Sequence, residues 1–118
     1  MLYNLKLIPE IRDKITNWQS NYKLCTGKHI QRKTIIKQAV SMYIDTPVNI
    51  EDLKDFIGFY GICKKINIVY FTRDEIQIDK VKTISAELWL NYKFSITQNE
   101  LLNFFINKFI NNYKPIKK

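Results

Sequence analysis

Two segments of the chain carry the same helical pattern of apolar residues, and each position in one has a counterpart 66 residues along. The first set is Ile35, Ile36, Ala39, Val40, Tyr43 and Ile44, and the second is Leu101, Leu102, Phe105, Ile106, Phe109 and Ile110. Apolar residues at this spacing lie on one face of a helix, which any two amphipathic helices would share. An Asn-Tyr-Lys-apolar tetrapeptide also precedes each helix, at residues 21–24 and 91–94. Together these repeats predict a tandem duplication of one small unit.

The first copy begins with a strand. Tyr3, Leu5 and Leu7 alternate with polar residues, a period of two that is typical of a half-buried strand. Pro9 ends this strand and favours the first turn of a helix. Apolar residues then recur every three or four positions and predict a helix over residues 10–24. Gly27 suits a left-handed C-terminal cap, and a second helix is expected over residues 30–44.

The rest of the chain alternates helical and strand-like patterns. A helix is predicted over residues 51–60, strands over 65–71 and 76–84, and a short helix over 86–94. Thr97 and Glu100 have the spacing of a capping box, which opens a helix that extends to about residue 113.

The charge of the chain is concentrated in its two ends. The 118 residues include 19 Lys and Arg against 11 Asp and Glu, for a net charge of +8. Residues 1–48 carry 8 bases and 3 acids, residues 49–79 carry 4 and 6, and residues 80–118 carry 7 and 2. The 31 residues from 14 to 44 contain six bases and no acid. Because solvated helix faces normally mix both signs, this pattern favours a polyanionic partner, either nucleic acid or an anionic membrane.

Several classes of protein and site are disfavoured. The longest apolar run has 8 residues, whereas a membrane span needs about 20, and the N-terminus lacks the order of a secretory signal. We therefore expect a cytoplasmic location and no membrane span, and binding to an anionic membrane surface is disfavoured because neither basic end pairs its charge with a broad exposed apolar helix face. Cys25 and Cys63 have no CxxC spacing and His29 is the single histidine, so no metal, cofactor or enzymatic activity is expected. Trp18 and Trp89 are expected to pack in the core.

The strand, Pro9, the first helix, the turn at Gly27 and the second helix together resemble the ribbon-helix-helix family, of which Arc repressor and MetJ are members. The resemblance covers residues 2–45, and residues 76–113 are a more divergent second copy after a connecting segment, residues 46–75. It implies a mainly α fold with a short antiparallel β-ribbon. One compact domain, residues 1–118, would then be a tandem ribbon-helix-helix pseudo-dimer, similar to accessory DNA-binding proteins of conjugative relaxosomes.

The resemblance also implies which residues contact DNA. In the family a two-stranded ribbon enters the major groove, and the N-termini of the second helices hold phosphates. Carried over by position, the base-contacting residues are Asn4 and Lys6 in the first strand and Lys80 and Lys82 in the second. The phosphate-contacting residues are Lys28, Ile30, Gln31, Arg32 and Lys33 in the first copy, and Thr97, Gln98 and Asn99 in the second.

The second strand has three candidate positions. Residues 80–85 would place Lys80 and Lys82 on the groove face, which is why we prefer them. Residues 75–79 would bury Ile76 and Ile78 but turn Asp79 towards DNA. Residues 66–71 have the strongest strand composition but need a long insertion before the following helix.

The expected function is sequence-specific binding of double-stranded DNA, as a transcriptional regulator such as a repressor, or as a plasmid relaxosome or partition accessory factor. A protein with this function would be associated with the nucleoid or a plasmid, and a relaxase or another DNA-processing protein is a candidate partner. The chain would be a monomeric pseudo-dimer, or a homodimer that pairs its ribbon between chains and uses residues 49–118 for oligomerisation. A further alternative is a protein-binding adaptor such as an antitoxin.

Overall fold

The structure, a computed structural model, describes residues 2–60 and 67–115. Within these residues the chain forms two strands and five helices. In chain order they are β1 (Leu2–Leu7), α1 (Pro9–Thr26), α2 (Arg32–Tyr43), α3 (Ile50–Tyr60), β2 (Asn67–Thr72), α4 (Ile78–Tyr92) and α5 (Gln98–Asn112). The order strand–helix–helix therefore occurs once before α3 and once after it.

The two strands pair with each other in one antiparallel ribbon. Leu2 lies opposite Thr72, Asn4 opposite Tyr70 and Lys6 opposite Ile68. Because side chains alternate across a strand, the intervening residues point to the other face, where Leu5, Leu7 and Phe71 are fully buried. The prediction of a mainly α fold with a short antiparallel ribbon is confirmed.

The first two helices form where the sequence predicts them. Pro9 occupies the start of α1, where its missing N–H leaves no helical hydrogen bond unmade. The apolar stripe of α1 buries Ile11, Ile15 and Trp18. Gly27 ends the helix at φ 74°, and its N–H donates to the carbonyl of Lys23, which is the left-handed cap that the sequence indicates.

The core lies between α2 and α5 and the inner face of the ribbon. The duplicated apolar positions are buried in both helices except for Ile110, which is partly buried. The rings of Tyr43 and Phe105 stack with centroids 6.4 Å apart. The predicted capping box opens α5: the hydroxyl of Thr97 accepts from the N–H of Glu100, and the Glu100 carboxylate accepts from the N–H of Thr97. The 66-residue offset thus relates two helices that pack in one core.

The position preferred for the second strand is wrong. Residues 80–85 lie inside α4, and residues 75–79 belong to a turn and the first turn of that helix. The strand is instead Asn67–Thr72, close to the third candidate and within the segment, residues 46–75, that is predicted to be a connection. The second strand–helix–helix unit therefore spans residues 67–112.

Packing explains why a segment rich in β-branched residues is helical. Ile78, Val81 and Leu88 are buried on one side of α4, at the spacing of a helix face rather than of a strand. Burial of that face outweighs the weaker intrinsic preference of Ile, Val and Thr for strands. Asp79 lies in the first turn of α4, where the helix dipole stabilises a carboxylate.

The two tryptophans have different environments. Trp18 is buried, as predicted, and its indole N–H donates to the carbonyl of Tyr113 at 2.6 Å. Trp89 is 50% exposed on α4, so the prediction that it packs in the core is wrong. Among the helices of the described residues, none combines the length and the apolar character that a membrane crossing requires.

Candidate nucleic-acid interface

The outward face of the β-ribbon carries six exposed side chains. Three belong to β1 and three to β2: Leu2, Asn4, Lys6, Ile68, Tyr70 and Thr72. The sequence analysis places Asn4 and Lys6 on this face, and the structure confirms that position. An amide, an amine, a phenol and a hydroxyl are thereby presented on one surface, and all four groups can hydrogen-bond to base edges.

The ribbon is anchored from below. Leu5 of β1 and Phe71 of β2 are fully buried under the outward face, and Tyr3 is half-buried, with the pKa of its phenol raised because burial disfavours the charged form. A ribbon held by a packed core presents its outward side chains in a defined geometry.

The outer edge of β1 is held by two asparagines of α5. The Asn99 side chain accepts from the N–H of Lys6 at 2.7 Å and donates to the Lys6 carbonyl at 2.9 Å. Asn103, one turn later and fully buried, accepts from the N–H of Ile8 at 3.0 Å and also donates to the Lys6 carbonyl. These bonds satisfy the N–H and carbonyl of Lys6 and the N–H of Ile8 on the edge of β1 that faces away from β2. They also fix the backbone of Lys6 against the N-terminal part of α5.

The outer edge of β2 is held by a carboxylate instead. Glu75 accepts from the backbone N–H of Thr72 at 2.7 Å and lies 3.7 Å from the amine of Lys37 on α2. The hydrogen bond from the Thr72 N–H, followed by the charges of Lys33 and Lys37, lowers the pKa of Glu75. This acid therefore holds the strand and neutralises part of the positive charge at the start of α2.

The N-terminus of α2 has the features of an anion site. Its N-cap, Gln31, makes no side-chain capping bond, and the first turn contains no acid. The backbone N–H groups there are positively polarised by the helix dipole. The predicted phosphate-contacting side chains of Lys28, Arg32 and Lys33 all lie at or just before this turn, and the Nε of Arg32 has no hydrogen-bond partner among the described residues.

Two side-chain contacts position this turn. The carbonyl of Ile30 accepts from the Gln19 side chain at 3.0 Å, which fastens the loop to α1. The amine of Lys33 lies 5.1 Å from the centre of the Phe71 ring. The α2 N-terminus is therefore positioned directly beside β2.

The corresponding end of α5 is less suited to an anion. Thr97 is engaged in the capping box, and Asn99 is bonded to Lys6. Glu100 places a negative charge in the first turn. Of the predicted residues Thr97, Gln98 and Asn99, only Gln98 has a side chain that makes no hydrogen bond to another described residue, so the two helix N-termini differ in how well they suit a phosphate.

Lys80 and Lys82 do not lie on the ribbon. Both are exposed on α4, and the Lys80 amine is 3.4 Å from the carboxylate of Asp45. Their placement on a groove-facing strand is wrong because that strand does not exist. The residues that occupy the face in their place are Ile68, Tyr70 and Thr72, whose strand is apolar at nearly every position, so that no alternation marks its outward side chains.

A second exposed surface lies at the opposite end of α2. Trp89, Leu90 and Tyr92 of α4 are at least half exposed, beside a cavity of about 370 Å³ that Tyr92 lines together with residues 44–48. Since α2 has 12 residues and is about 18 Å long, this apolar α4 surface is well separated from the ribbon.

Within residues 2–60 and 67–115, no three His, Cys, Asp or Glu side chains group closely enough to hold a metal ion. Comparison of the chain with protein-family models, with curated proteins and with solved structures gives no significant match.

Proposed function

We propose that the chain is a tandem ribbon-helix-helix protein that binds double-stranded DNA sequence-specifically, with its β-ribbon in the major groove. The observation that carries the proposal is the exposed ribbon face, on which Asn4 and Lys6 project from a rigidly packed strand. A two-stranded ribbon fits the width of the major groove, where Asn can pair with adenine and Lys can reach guanine acceptors.

The pairing register supports the pseudo-dimer. The residue 66 positions after Asn4 is Tyr70, which is also its cross-strand partner. The same offset relates Leu2 to Ile68 and Lys6 to Thr72. In the ribbon, Leu2 pairs with Thr72, the counterpart of Lys6, and Lys6 pairs with Ile68, the counterpart of Leu2. This is the relation that a local twofold axis through the Asn4–Tyr70 pair produces, and 66 is also the offset between the apolar faces of α2 and α5.

The helix termini fit the same relation. Lys33 and Lys37 of α2 are counterparts of Asn99 and Asn103 of α5 by the offset of 66. The asparagines hold the backbone of β1 directly, whereas in the other half Lys37 pairs with Glu75, which holds β2. A duplicated unit in which these helix residues later diverged accounts for both arrangements.

The flanking charges support DNA over a neutral partner. Lys28, Arg32 and Lys33 lie at the uncapped N-terminus of α2, next to the ribbon. Phosphate contacts of this kind supply sequence-independent affinity and orient the reading surface. We assign Lys28, Arg32 and Lys33 to phosphate and Asn4 and Lys6 to base edges.

The biological role follows from this assignment at the level of class: a transcriptional regulator, or a plasmid relaxosome or partition accessory factor in the cytoplasm. The exposed apolar surface formed by Trp89, Leu90 and Tyr92 favours roles with an added protein partner, such as a relaxase. A purified relaxase that forms a ternary complex with the DNA-bound protein, but not with Leu90→Asp, would support that role. A ternary complex that tolerates Leu90→Asp would place the partner elsewhere.

The proposal is tested by selecting duplexes from a random pool and measuring the affinity of the enriched sequence by fluorescence anisotropy. Lys6→Ala and Asn4→Ala are expected to lose about tenfold or more in discrimination at particular base pairs. Lys82→Ala on α4 is the matched control and should retain full discrimination. Failure to enrich any sequence at near-physiological salt, or unchanged selectivity of Lys6→Ala, would contradict the ribbon assignment.

A further inference from the structure

Half of the outward ribbon face is apolar or aromatic. Leu2 and Ile68 are 59% and 44% exposed, and Tyr70 is 51% exposed. The outward face of a half-buried antiparallel ribbon is normally polar, because it contacts water. Aliphatic side chains at pseudo-equivalent positions of both strands therefore indicate a ligand that offers apolar groups at matching places.

The register gives each end of the ribbon one aliphatic and one hydrogen-bonding side chain. Ile68 lies opposite Lys6, and Leu2 lies opposite Thr72. The Cβ atoms of directly opposed residues are about 5 Å apart, so both members of a pair reach the same small region of a bound surface. An aliphatic contact and a polar contact are thus made side by side at each end.

The major groove contains one apolar group, the C5-methyl of thymine. The other base edges present donors and acceptors, and an aliphatic side chain packed on them removes water without supplying a hydrogen bond, which is unfavourable. An aliphatic residue on a groove-facing strand therefore discriminates in favour of thymine and against guanine or cytosine at its position.

Charge complementarity favours DNA over an apolar protein as the occupant of this face. Lys6 shares the face, and Lys28, Arg32 and Lys33 lie at the helix end beside it. A protein that covered Leu2 and Ile68 would also have to neutralise the positive charge of these Lys and Arg side chains. The phosphates that border the major groove neutralise it without further contacts.

We propose that Ile68 and Leu2 select thymine through its C5-methyl group, so that the recognised duplex carries one thymine under each end of the ribbon. This inference rests on the proposed DNA-binding function. The central pair, Asn4 and Tyr70, differs between the two strands, so the two thymines flank a centre that is not palindromic.

The test uses the full chain and the enriched duplex, with each thymine replaced in turn by deoxyuridine, which lacks only the methyl group. Removal of the methyl facing Ile68 is expected to weaken binding about fourfold, the equivalent of one buried methyl group. The same replacement should not change the DNA affinity of the Ile68→Ala variant. The affinity of the Leu2→Ala variant should likewise not change when the other thymine is replaced. The control is Met42→Ala, which changes an exposed apolar side chain near the C-terminal end of α2 and should respond as the unmodified protein does.

The outcomes separate this inference from the function on which it rests. If no sequence is enriched, the DNA-binding proposal and this inference both fail. Enrichment with no response to deoxyuridine at any thymine overturns the thymine contact alone, as does a full response by Ile68→Ala. Ile68 and Leu2 are exposed, so circular dichroism and thermal melting of the variants should match the unmodified protein. DNA affinity that is unaffected by both variants would assign the aliphatic side chains to a protein partner and overturn the inference.

Discussion

The side-chain amide of Asn103 accepts a hydrogen bond from the backbone N–H of Ile8 at 3.0 Å, in a site where Asn103 is completely buried. Its amide nitrogen donates to the carbonyls of Lys6 and Asn99 at 2.9 and 2.8 Å. One buried residue of α5 therefore joins the end of β1 to the start of α1. The Lys6 carbonyl also accepts from the Asn99 side chain and would keep that partner without Asn103, whereas the buried Ile8 N–H is bonded to Asn103.

We predict that Asn103→Leu destabilises the protein by about 1–3 kcal/mol, because the Ile8 N–H is left buried without a partner. Urea unfolding followed by circular dichroism measures the loss. Asn112→Leu, at the exposed end of the same helix, is the matched control and should change stability by less than about 0.5 kcal/mol. Equal effects of the two substitutions would show that the Asn103 network contributes nothing specific.

Glu75 makes the stability of β2 dependent on pH. Its pKa is lowered in the folded protein, first by the hydrogen bond from the Thr72 N–H. A carboxyl whose pKa is lower in the folded than in the unfolded state stabilises above the unfolded value, here the ordinary 4.5, and loses that contribution as pH falls through the folded value.

The expected result is that Glu75→Gln lowers the melting temperature at pH 7, and that this effect shrinks as the pH falls below 4.5 and Glu75 itself takes up a proton. Thermal melts of both proteins across this range measure the difference. Asp74→Asn, at the exposed neighbouring position, is the control. A melting-temperature gap between Glu75→Gln and the unmodified protein that stays constant throughout the acid titration would contradict the assigned hydrogen bond.

The elements with strong periodic signals could be predicted from the sequence. The stripe of α1, the Gly27 cap and the Thr97–Glu100 capping box each report a local geometry that depends on nearby residues, and all three are present. The outward position of Asn4 and Lys6 follows in the same way from the alternation in β1.

The strand predicted over residues 65–71 is present as β2, but its role as the second strand of the ribbon could not be predicted from periodicity, because both of its faces are apolar. Ile68 and Tyr70 point outwards while Val69 and Phe71 point inwards, so no period of two is visible. The preference for residues 80–85 depends on placing Lys80 and Lys82 on the groove face, and so presupposes DNA binding instead of locating a strand by its own pattern. Residues 80–85 instead form part of α4, a helix whose β-branched residues give it the composition of a strand.

The partners of Asn99 and Asn103 are also invisible in the sequence, because their bonds join residues more than 90 positions apart. Asn99 could be placed at the start of a helix from the capping box. That its amide holds the Lys6 backbone depends on how α5 docks against β1, which only the tertiary arrangement determines.

The oligomeric state provides a further prediction. Because β1 pairs with β2 of the same chain, the free protein is expected to sediment as a monomer of 14.1 kDa. Sedimentation velocity over a range of micromolar concentrations measures this mass. A species of about twice that mass that persists on dilution would instead favour a ribbon paired between two chains, with the C-terminal half serving for oligomerisation.

The difference between the two helix N-termini predicts where the salt dependence of binding originates. The N-terminus of α2 is uncapped and basic, whereas that of α5 is capped and carries Glu100. Each phosphate contact contributes about 0.9 to the slope of log affinity against log salt.

Lys28→Ala is therefore expected to weaken binding to all duplexes alike and to reduce the slope by about one. Lys82→Ala, at a position that is also exposed but lies on α4, should leave the slope unchanged. Anisotropy titrations at several salt concentrations give both slopes, and a loss of slope on Lys82→Ala that matches the loss on Lys28→Ala would mean that DNA contacts α4 as well as the α2 N-terminus.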